Sequence, residues 1–329
     1  MKIISILIPC YNESENIEFL YSAITKEINS LDNYEWEIIF EDNSSTDNTV
    51  ELLRALTKKD KRVRVIVNLA NYGPERSGCN LFLCPCADAV IPMCADLEDP
   101  PSLIPQFVKN WEQGWLVVLG QYLKREENLL IHGFRQLYYK IIAGFSDVKI
   151  EKNVTGFGLY DISVVEEIRK LGEYNFNGRF LCAELGYPIK YIPYDKPKRN
   201  GGKSSYSFLR YYRVAVDSLV LASHAPLHFA SFIGFVISIC SLLVAIYYFI
   251  QKMLHWYTFE LGLAPMVIGM FFLGGVQLFF VGVLGEYLSS AIRRLQHRPY
   301  VIEKERINFK GYGEPGRPKR GKEEKRQEE

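Results

Sequence analysis

The first 205 residues lack the glycine-rich phosphate-binding motifs G-x-G-x-x-G and G-x-x-x-x-G-K-[ST]. Their absence argues against a dinucleotide-binding domain and a P-loop nucleotidase, because both need glycines where the backbone approaches phosphate. The chain also lacks an excess of charge, with 39 Lys and Arg against 38 Asp and Glu. Balanced charge gives no general attraction to nucleic acid, so we expect no nucleic-acid partner.

Cysteine is scarce, and the seven residues present are odd in number and irregular in spacing. This pattern does not predict a disulfide framework. Cys79, Cys84 and Cys86 form a C-x4-C-x-C, but no matching His or Cys pair follows, so we expect buried or incidental thiols rather than a metal site. The N-terminal apolar stretch IISILIP is too short for a signal peptide, which predicts that the N-terminal part stays in the reducing cytosol.

Two long runs carry no formal charge, from Pro226 to Ile250 and from Leu261 to Gly285. Each has about 25 residues, enough for a helix to cross a bilayer core of roughly 30 Å. Buried helices of a soluble protein are the alternative, but these are usually shorter and carry a polar stripe. The sequence therefore predicts two transmembrane helices, at about 226–250 and 261–288, within a membrane region 226–290.

Basic residues flank these runs, whereas the loop QKMLHWYTFE between them has one Lys. The positive-inside rule places both flanks in the cytoplasm and predicts a multi-pass protein of the inner or plasma membrane. Residues 206–225 are rich in aromatics with interspersed Arg210 and Arg213, which predicts an interfacial helix. Residues 291–329 are expected to be a cytoplasmic tail with a disordered end. The basic flanking residues are Lys196, Lys198, Arg199, Lys203, Arg210, Arg213, Arg293, Arg294 and Arg298.

Five short apolar runs in the first 121 residues predict strands: IISILIP, EWEIIFE, VRVIVN, ADAVIPM and WLVVLG. Stretches with helical spacing lie between them, at Glu15–Asn29 and Thr49–Lys58. This alternation predicts a doubly wound α/β sheet with parallel strands, in a domain covering residues 1–205. Ligands of such sheets bind beyond the carboxyl ends of the strands.

Three of these strand ends carry polar clusters, at Pro9–Glu13, Glu41–Asp47 and Cys94–Pro101. Carboxylates between a strand and a helix suit nucleotide hydroxyls and a metal-bound diphosphate. The alternative is turn chemistry, in which the Asn, Ser and Asp side chains only cap helices.

Together the ordered motifs resemble glycosyltransferase family 2, and within it the polyprenyl-phosphate glycosyltransferases. They are P-x-Y-N-E, a D-D-G-S-like E-D-N-S, N-Y-G at Asn71–Gly73, a D-x-D-like A-D-L-E-D-P-P, R-x-x-G-x-S at Arg199–Ser204 and the closing hairpin. The resemblance implies a GT-A-type, Rossmann-like domain. It also implies a nucleotide-sugar donor, a lipid acceptor and a divalent metal.

The resemblance also implies roles for individual residues. The nucleotide-sugar would contact Pro9, Tyr11, Glu13, Asp42, Asn43 and Asp96. Mg²⁺ or Mn²⁺ would be held by Asp96 and Glu98, since hard cations prefer oxygen ligands. The alternative for these two acids is a solvated loop before a helix.

Basic side chains are needed to bind an acceptor phosphate, and the chain offers them in two places. The candidates are the basic residues Arg125, Arg135, Arg199 and Lys203, together with the hydroxyl of Ser204. Arg binds phosphate through two parallel hydrogen bonds. Attraction of this basic segment to anionic lipid headgroups is the alternative. Asp96 and Arg199 are the predicted catalytic pair.

The chain departs from the family pattern at two positions. Cys94 replaces the first acid of the D-x-D, and Gly156 stands where the family has the Asp that acts as base. These departures fit either a chain without activity or a reaction that needs no base. A phosphate monoester has its second pKa near 6, so an acceptor of this kind is already largely dianionic at neutral pH.

We therefore expect an inverting enzyme that moves one sugar from a nucleoside diphosphate, with UDP favoured over GDP, to a polyprenyl phosphate such as undecaprenyl phosphate. A non-catalytic protein that binds nucleotide-sugar or lipid phosphate is one alternative. A processive polysaccharide synthase is another, although the chain has no Q-x-x-R-W and only two predicted spans. A homo-oligomer is possible, and the sequence does not specify the sugar.

Overall fold

The computed structural model describes residues 1–123, 151, 153–172, 178–195, 225–254, 263–295 and 299–309. They divide into two units. The first unit contains strands from both ends of the chain, and the second contains the two long apolar helices. The predicted interfacial helix at 206–225 lies outside the described residues apart from Ala225, and so does the chain after residue 309.

The first unit is built on eight strands. They are β1 (Lys2–Cys10), β2 (Tyr34–Asp42), β3 (Val63–Asn68), β4 (Ala89–Pro92), β5 (Val117–Tyr122), β6 (Val154–Asp161), β7 (Ile189–Tyr194) and β8 (Glu303–Ile307). Its helices are α1 (Ile17–Ile28), α2 (Thr49–Lys59), α3 (Pro74–Leu83), α4 (Ile104–Glu112), α5 (Ile162–Leu171) and α6 (Gly178–Glu184), with a 3-10 turn at Pro101–Leu103.

Alternation of side chains along the central strands produces two buried layers. In β1, Ile4, Ile6 and Ile8 face one layer, whereas Leu7 faces the other. The first layer packs against α1, α2 and α4, and the second against α3, α5 and α6. Both faces of a strand are therefore apolar, as expected for a sheet covered by helices on both sides. Each fully buried aliphatic side chain stabilises the fold by about 1.5–3 kcal/mol.

The strands form one sheet in the order β7-β5-β6-β4-β1-β2-β3-β8. The five predicted strands all run in the same direction, which confirms the expected α/β sheet. The sheet is nevertheless mixed, because β6 is antiparallel to β4 and β5, and β8 is antiparallel to β3. β6, β7 and β8 were not predicted from the sequence.

Parallel register brings the ends of neighbouring strands together. Cys10 at the end of β1 lies beside Asp42 at the end of β2, and Asp42 lies beside Val67 in β3. On the other side, Pro92 at the end of β4 pairs with Leu7 of β1. The loops that follow β1, β2 and β4 therefore leave the sheet at one edge, where the sequence predicted the site.

Strand β8 joins the distant end of the chain to this sheet. Its residues follow the second apolar helix in sequence, yet Ile307 pairs with Val65 of β3. Asn308, just after β8, donates from Nδ2 to the carbonyl oxygens of Lys61 at 3.0 Å and Val63 at 2.7 Å. Arg54 of α2 forms an ion pair with Glu305. Residues 303–307 are thus part of the sheet rather than free tail.

The second unit contains α7 (Ala225–Leu254) and α8 (Leu263–Leu295). Both are long and apolar enough to cross a membrane, with mean hydropathy of 2.4 over Phe232–Gln251 and 1.4 over Phe272–Ser289. Their described large apolar side chains are mostly exposed, such as Phe235 and Phe279. A soluble core helix would bury these side chains, so their exposure favours lipid contact.

Candidate functional site

The loops after β1 and β2 are tied together by polar side chains. Asn12 has the left-handed φ of 55°, and its backbone N–H donates to Ser45 Oγ at 2.9 Å. In return, Asn12 Oδ1 accepts from the backbone N–H of Thr46 at 2.8 Å. Ser44 also has a left-handed φ, of 63°. Asn12 therefore joins two loops of the predicted nucleotide site and does not cap α1.

Glu13 and Asp47 anchor the helices next to this pair of loops. Glu13 donates from its backbone N–H to Thr49 Oγ1 at 3.0 Å, and its carboxylate accepts from Asn16 Nδ2 at 2.7 Å. Asp47 accepts from the backbone N–H groups of Thr49 and Ser14. Burial alone would raise the pKa of Asp47, but these hydrogen bonds outweigh it and hold that pKa below its usual value. Asp47 therefore stabilises the loops before α1 and α2, as the alternative interpretation predicted.

Asp42 differs from Asp47 because one of its two carboxylate oxygens has no hydrogen-bond partner among the described residues. The side chain is buried, and Oδ2 accepts from the backbone N–H of Ser45 at 3.0 Å. Oδ1 is buried without a hydrogen-bond partner among the described residues. Burial raises the pKa of Asp42, and its hydrogen bonds oppose that rise. A buried acceptor without a donor costs about 1–3 kcal/mol, so this oxygen suits a donor group of a ligand.

Asn43 holds the loop that follows β3. Its backbone N–H donates to the carbonyl of Cys10 at 2.9 Å, and its Nδ2 donates to Asn71 Oδ1 at 3.0 Å. Its Oδ1 accepts from the backbone N–H of Tyr72 at 3.0 Å. The N-Y-G segment is therefore held against the end of β2, next to Asp42. Asn43 is buried by these contacts and supports the site rather than facing solvent.

Two further predicted nucleotide contacts, Pro9 and Tyr11, come from β1 and the loop after it. Pro9 is half-buried and pairs in register with Glu41 of β2. Tyr11 is 40% exposed, which makes its ring accessible to a planar ligand. The structure thus brings Pro9, Tyr11 and Asp42 to one edge of the sheet.

The predicted metal loop follows β4. Asp99 points inward and accepts from the backbone N–H of Cys94 at 2.9 Å, which closes the loop. Leu97 has a left-handed φ of 61°, and Asp96 Oδ1 accepts from the backbone N–H of Glu98 at 3.2 Å. Asp96 and Glu98 are both half-buried. This turn places the two acids on one short loop, while Asp99 has a structural role.

Two carboxylates suit a metal ion that the substrate helps to bind. Among the described residues, no group of three or more His, Cys, Asp or Glu is arranged to hold a metal by itself. Mg²⁺ is commonly bound by one or two carboxylates together with substrate phosphates, so Asp96 and Glu98 fit that arrangement.

Of the three clustered cysteines, Cys79 and Cys84 are buried, and burial raises the pKa of Cys84 to about 12, as expected for inert thiols.

Gly156 lies in β6, at the position where the sequence resemblance predicts that the family's Asp is replaced. Its φ is +100°, a conformation that residues with a side chain rarely adopt. Tyr160 donates from its hydroxyl to the carbonyl oxygen of Gly156 at 3.0 Å, which holds this backbone in place. The backbone is thus shaped for glycine, and an Asp could not simply be substituted there without strain.

The predicted acceptor-phosphate residues fall outside the described part of the chain. They are Arg125, Arg135, Arg199, Lys203 and Ser204. The pairing of Asp96 with Arg199 as catalytic residues therefore stays a prediction.

A buried polar group beneath the site was not predicted from the sequence. Glu41 is fully buried on the side of the sheet covered by α3, and it accepts hydrogen bonds from Ser77, Asn68 and Asn80. Alternation along β2 could have revealed it, since adjacent residues of a strand face opposite sides. Glu41 and Asp42 therefore cannot have the same surroundings.

Comparison with known proteins identifies the family. Residues 5–169 match the family model Glycosyl transferase family 2. The chain is 30% identical over 305 residues to the bactoprenol glucosyl transferase of Shigella phage SfV, covering 92% of this chain and 99% of that protein. The chain belongs to glycosyltransferase family 2. It is therefore a glycosyltransferase.

Other proteins are similar over comparable lengths. The prophage bactoprenol glucosyl transferase homolog of Escherichia coli K12 is 28% identical over 304 residues, covering 92% of this chain and 98% of its own length. Among solved structures, the mannosyltransferase PcManGT from Pyrobaculum calidifontis, in complex with GDP-Man and Mn²⁺, is 15% identical with a TM-score of 0.41. That likeness covers 89% of this chain and 87% of the other.

Proposed function

We propose that this chain is a membrane-bound inverting glycosyltransferase that moves one sugar from a UDP-sugar to a polyprenyl phosphate. The observation that carries the proposal is the meeting of three loops at one sheet edge, with Asp42 at the end of β2 and Asp96 and Glu98 in the loop after β4. The lipid acceptor is supported by relatives named bactoprenol glucosyl transferase that match over more than nine-tenths of the chain.

The donor would bind through its nucleotide and its diphosphate. Asp42 offers the partnerless Oδ1 to a base or ribose donor group, and Tyr11 offers an exposed ring. Asp96 and Glu98 would hold Mg²⁺ or Mn²⁺ against the diphosphate. The ion would supply Lewis-acid stabilisation of the departing nucleoside diphosphate.

Transfer requires one bond to form and one to break at the anomeric carbon. A phosphate oxygen of the lipid forms the new C–O bond on the face opposite the diphosphate, which leaves with the electron pair of the broken bond. This displacement inverts the configuration. No proton has to be removed, because the acceptor phosphate is already largely dianionic at neutral pH. The glycine-specific backbone at Gly156 is consistent with a reaction that has no base there.

A membrane position is supported by the length and apolar composition of α7 and α8. β8 follows α8 in sequence and pairs with β3, so both ends of the apolar region return to the same sheet. An even number of crossings between residues 195 and 299 satisfies this connection, and α7 and α8 provide two. A cytoplasmic sheet domain would agree with the basic flanks. The acceptor phosphate would then lie at the same membrane face as the donor.

The test uses the purified full-length protein in detergent with undecaprenyl phosphate, Mg²⁺ or Mn²⁺, and separate UDP-sugars and GDP-sugars. A lipid-linked single sugar, identified by mass spectrometry and made from a UDP donor, is expected. We expect Asp96→Ala to abolish product and Arg199→Ala chiefly to raise the acceptor KM. Asp32→Ala is the matched control, because Asp32 is an exposed acid before β2, at the opposite end of the strand from the site.

The other outcomes separate the alternatives. No product from any donor, combined with donor binding that persists without metal, would indicate a non-catalytic binding protein. A polymer among the products would indicate a processive synthase. Full activity of Asp96→Ala would remove the metal assignment.

A further inference from the structure

Strand β2 ends in two acids whose side chains face opposite sides of the sheet. Asp42 lies at the nucleotide edge, whereas Glu41 points to the layer beneath α3 together with Ile39. Glu41 has no exposed surface. Burying a carboxylate is costly even when it is hydrogen-bonded, and an apolar side chain could have filled this layer instead. Packing alone therefore does not explain why an acid occupies position 41.

Three neutral donors surround the Glu41 carboxylate. Ser77 donates from Oγ to Oε1 at 2.6 Å, and Asn68 donates from Nδ2 to Oε1 at 2.9 Å. Asn80 donates from Nδ2 to Oε2 at 3.1 Å. Ser77 and Asn80 are three residues apart on α3 and therefore face the same side of the helix. Asn68 is the last residue of β3, so Glu41 connects α3, β2 and the end of β3.

The contacts continue from Asn68 to the candidate nucleotide site. The same Nδ2 of Asn68 lies 3.4 Å from Asn43 Oδ1, which also accepts from the backbone N–H of Tyr72. The ionised Glu41 requires Asn68 to present its amide nitrogen, because a carboxylate without its proton can only accept. That orientation turns the other donor hydrogen of Asn68 towards Asn43. Asn43 in turn holds the 71–73 loop and follows Asp42 directly.

We infer that Glu41 is a positioning residue for the nucleotide, which acts through Asn68 to fix Asn43 and the 71–73 loop beside Asp42. This inference rests on the proposed function. Glu41 lies behind the sheet edge, where it would not contact the nucleotide-sugar. Its effect therefore passes through the placement of Asn43 and Asp42. Loss of the Glu41 acceptor frees the Asn68 amide, and the nucleotide then has to order the loop when it binds.

The experiment compares two buried acids on the same face of β2. Glu37 lies four residues before Glu41, is also buried, and accepts from Ser5 Oγ at 3.0 Å and Arg64 Nη2 at 3.1 Å. It is remote from the carboxyl edge, so Glu37→Leu is the matched control for Glu41→Leu. Affinity for UDP with Mn²⁺ is measured by calorimetry on the full-length protein in detergent. The KM for donor, the KM for acceptor and kcat are measured with the transferase assay.

Glu41→Leu is expected to weaken UDP binding and to raise the donor KM by about tenfold, the effect of one well-placed hydrogen bond. The acceptor KM and kcat should change less than twofold. Glu41→Gln should retain the wild-type donor KM, because its oxygen can still accept from Asn68 and Ser77. Its amide nitrogen then faces Asn80, whose own amide can rotate to present oxygen. Glu37→Leu should leave UDP affinity unchanged.

A second variant protects the test against loss of folding. Asn68→Ala keeps Glu41 but cuts its link to Asn43, and it should raise the donor KM as Glu41→Leu does. The double variant should be no worse than either single one, since both remove the same connection. An unchanged donor KM in both single variants, or an equal rise in Glu37→Leu, would overturn the inference. Absence of turnover in the wild type would instead overturn the proposed function.

Discussion

Asn308, which follows both apolar helices in sequence, donates from Nδ2 to the carbonyl oxygen of Val63 at 2.7 Å. Since Val63 begins β3, the chain segments before and after the two apolar helices belong to one folded sheet. The chain cannot satisfy this contact if residues 63 and 308 lie on opposite sides of a membrane.

A labelling experiment in cells tests this topology. Lys61 and Lys304 are exposed positions near β3 and in β8, and Thr258 lies between the predicted spans. Lys61→Cys and Lys304→Cys should react with an impermeant maleimide only after the membrane is permeabilised, because the basic flanks predict a cytoplasmic location. Thr258→Cys should react in intact cells.

Few native cysteines have to be replaced before this labelling. Only Cys86, Cys94 and Cys240 are not buried among the seven cysteines, so replacing them with Ala removes most competing reaction. Different accessibility of Lys61→Cys and Lys304→Cys would contradict the pairing of β8 with β3. Reaction of both in intact cells would keep the pairing and reverse the orientation.

The exposed thiol of Cys94 provides a second prediction. Cys94 lies two residues before Asp96, on the loop proposed to bind the metal and diphosphate. UDP with Mn²⁺ should shield it from N-ethylmaleimide, because a bound diphosphate would cover that loop. At ten times the dissociation constant the site is about nine-tenths occupied, so modification should slow by about tenfold. Peptide mass spectrometry after timed quenching gives the rate.

Cys86 supplies the internal control for that measurement. It is partly exposed, precedes β4, and lies at the opposite end of that strand from Cys94. Its modification rate should not respond to UDP. Equal rates at Cys94 with and without UDP and Mn²⁺ would count against a donor site at this loop.

The central sheet could be predicted because most residues of its strands are buried. A continuous apolar run such as VRVIVN can be recognised as a strand without knowing which strands lie beside it. β3 begins and ends where this run does. β6 is interrupted by Gly156 and Gly158, and β8 reads EKERI, with charges typical of an edge. Both pair with strands that are distant in sequence, so local pattern alone could not identify them.

The candidate site was predictable to a similar extent. Asp42, Asp96 and Glu98 were predicted from the family resemblance, in polar clusters at the ends of apolar strands, and the structure brings the ends of β2 and β4 to the same side of β1 and its following loop. The hydrogen bonds of Asn12 to Ser45 and Thr46 could not be predicted, since they depend on left-handed backbone at Asn12 and Ser44. The network of Glu41 depends on how α3 lies on the sheet, which sequence spacing does not specify.

A substitution at Gly156 tests the absence of a base. Gly156→Asp would restore the acid of the family pattern, but the φ of +100° makes any side chain strained, at a cost of about 1–3 kcal/mol. We expect a lower midpoint of thermal unfolding and no gain in kcat. Gly114→Asp is the matched control, since Gly114 has a φ of +96° in the turn after α4. It should destabilise similarly and leave transfer intact, whereas a large rise in kcat for Gly156→Asp would show that a base is limiting.

The buried carboxyl of Glu41 predicts how stability depends on pH. Burial raises its pKa from 4.5 to about 7, opposed by hydrogen bonds from Ser77, Asn68 and Asn80 and assisted by the charge of Glu303. Because the folded pKa lies above the unfolded one, its stabilising contribution is complete below pH 4.5. This contribution is lost as pH rises through 7, and its full size is about 3 kcal/mol.

Glu41→Gln isolates this contribution, because glutamine does not titrate. As pH rises from 5 to 8, the unfolding free energy of the wild type should fall by about 2–3 kcal/mol relative to that of Glu41→Gln. Intrinsic fluorescence can follow unfolding of the sheet domain, since Trp36 and Trp111 are buried in it. Glu37→Gln gives the comparison for a second buried acid of β2. Parallel pH profiles of wild type and Glu41→Gln would mean that Glu41 keeps an ordinary pKa, and that the three donors fully compensate for its burial.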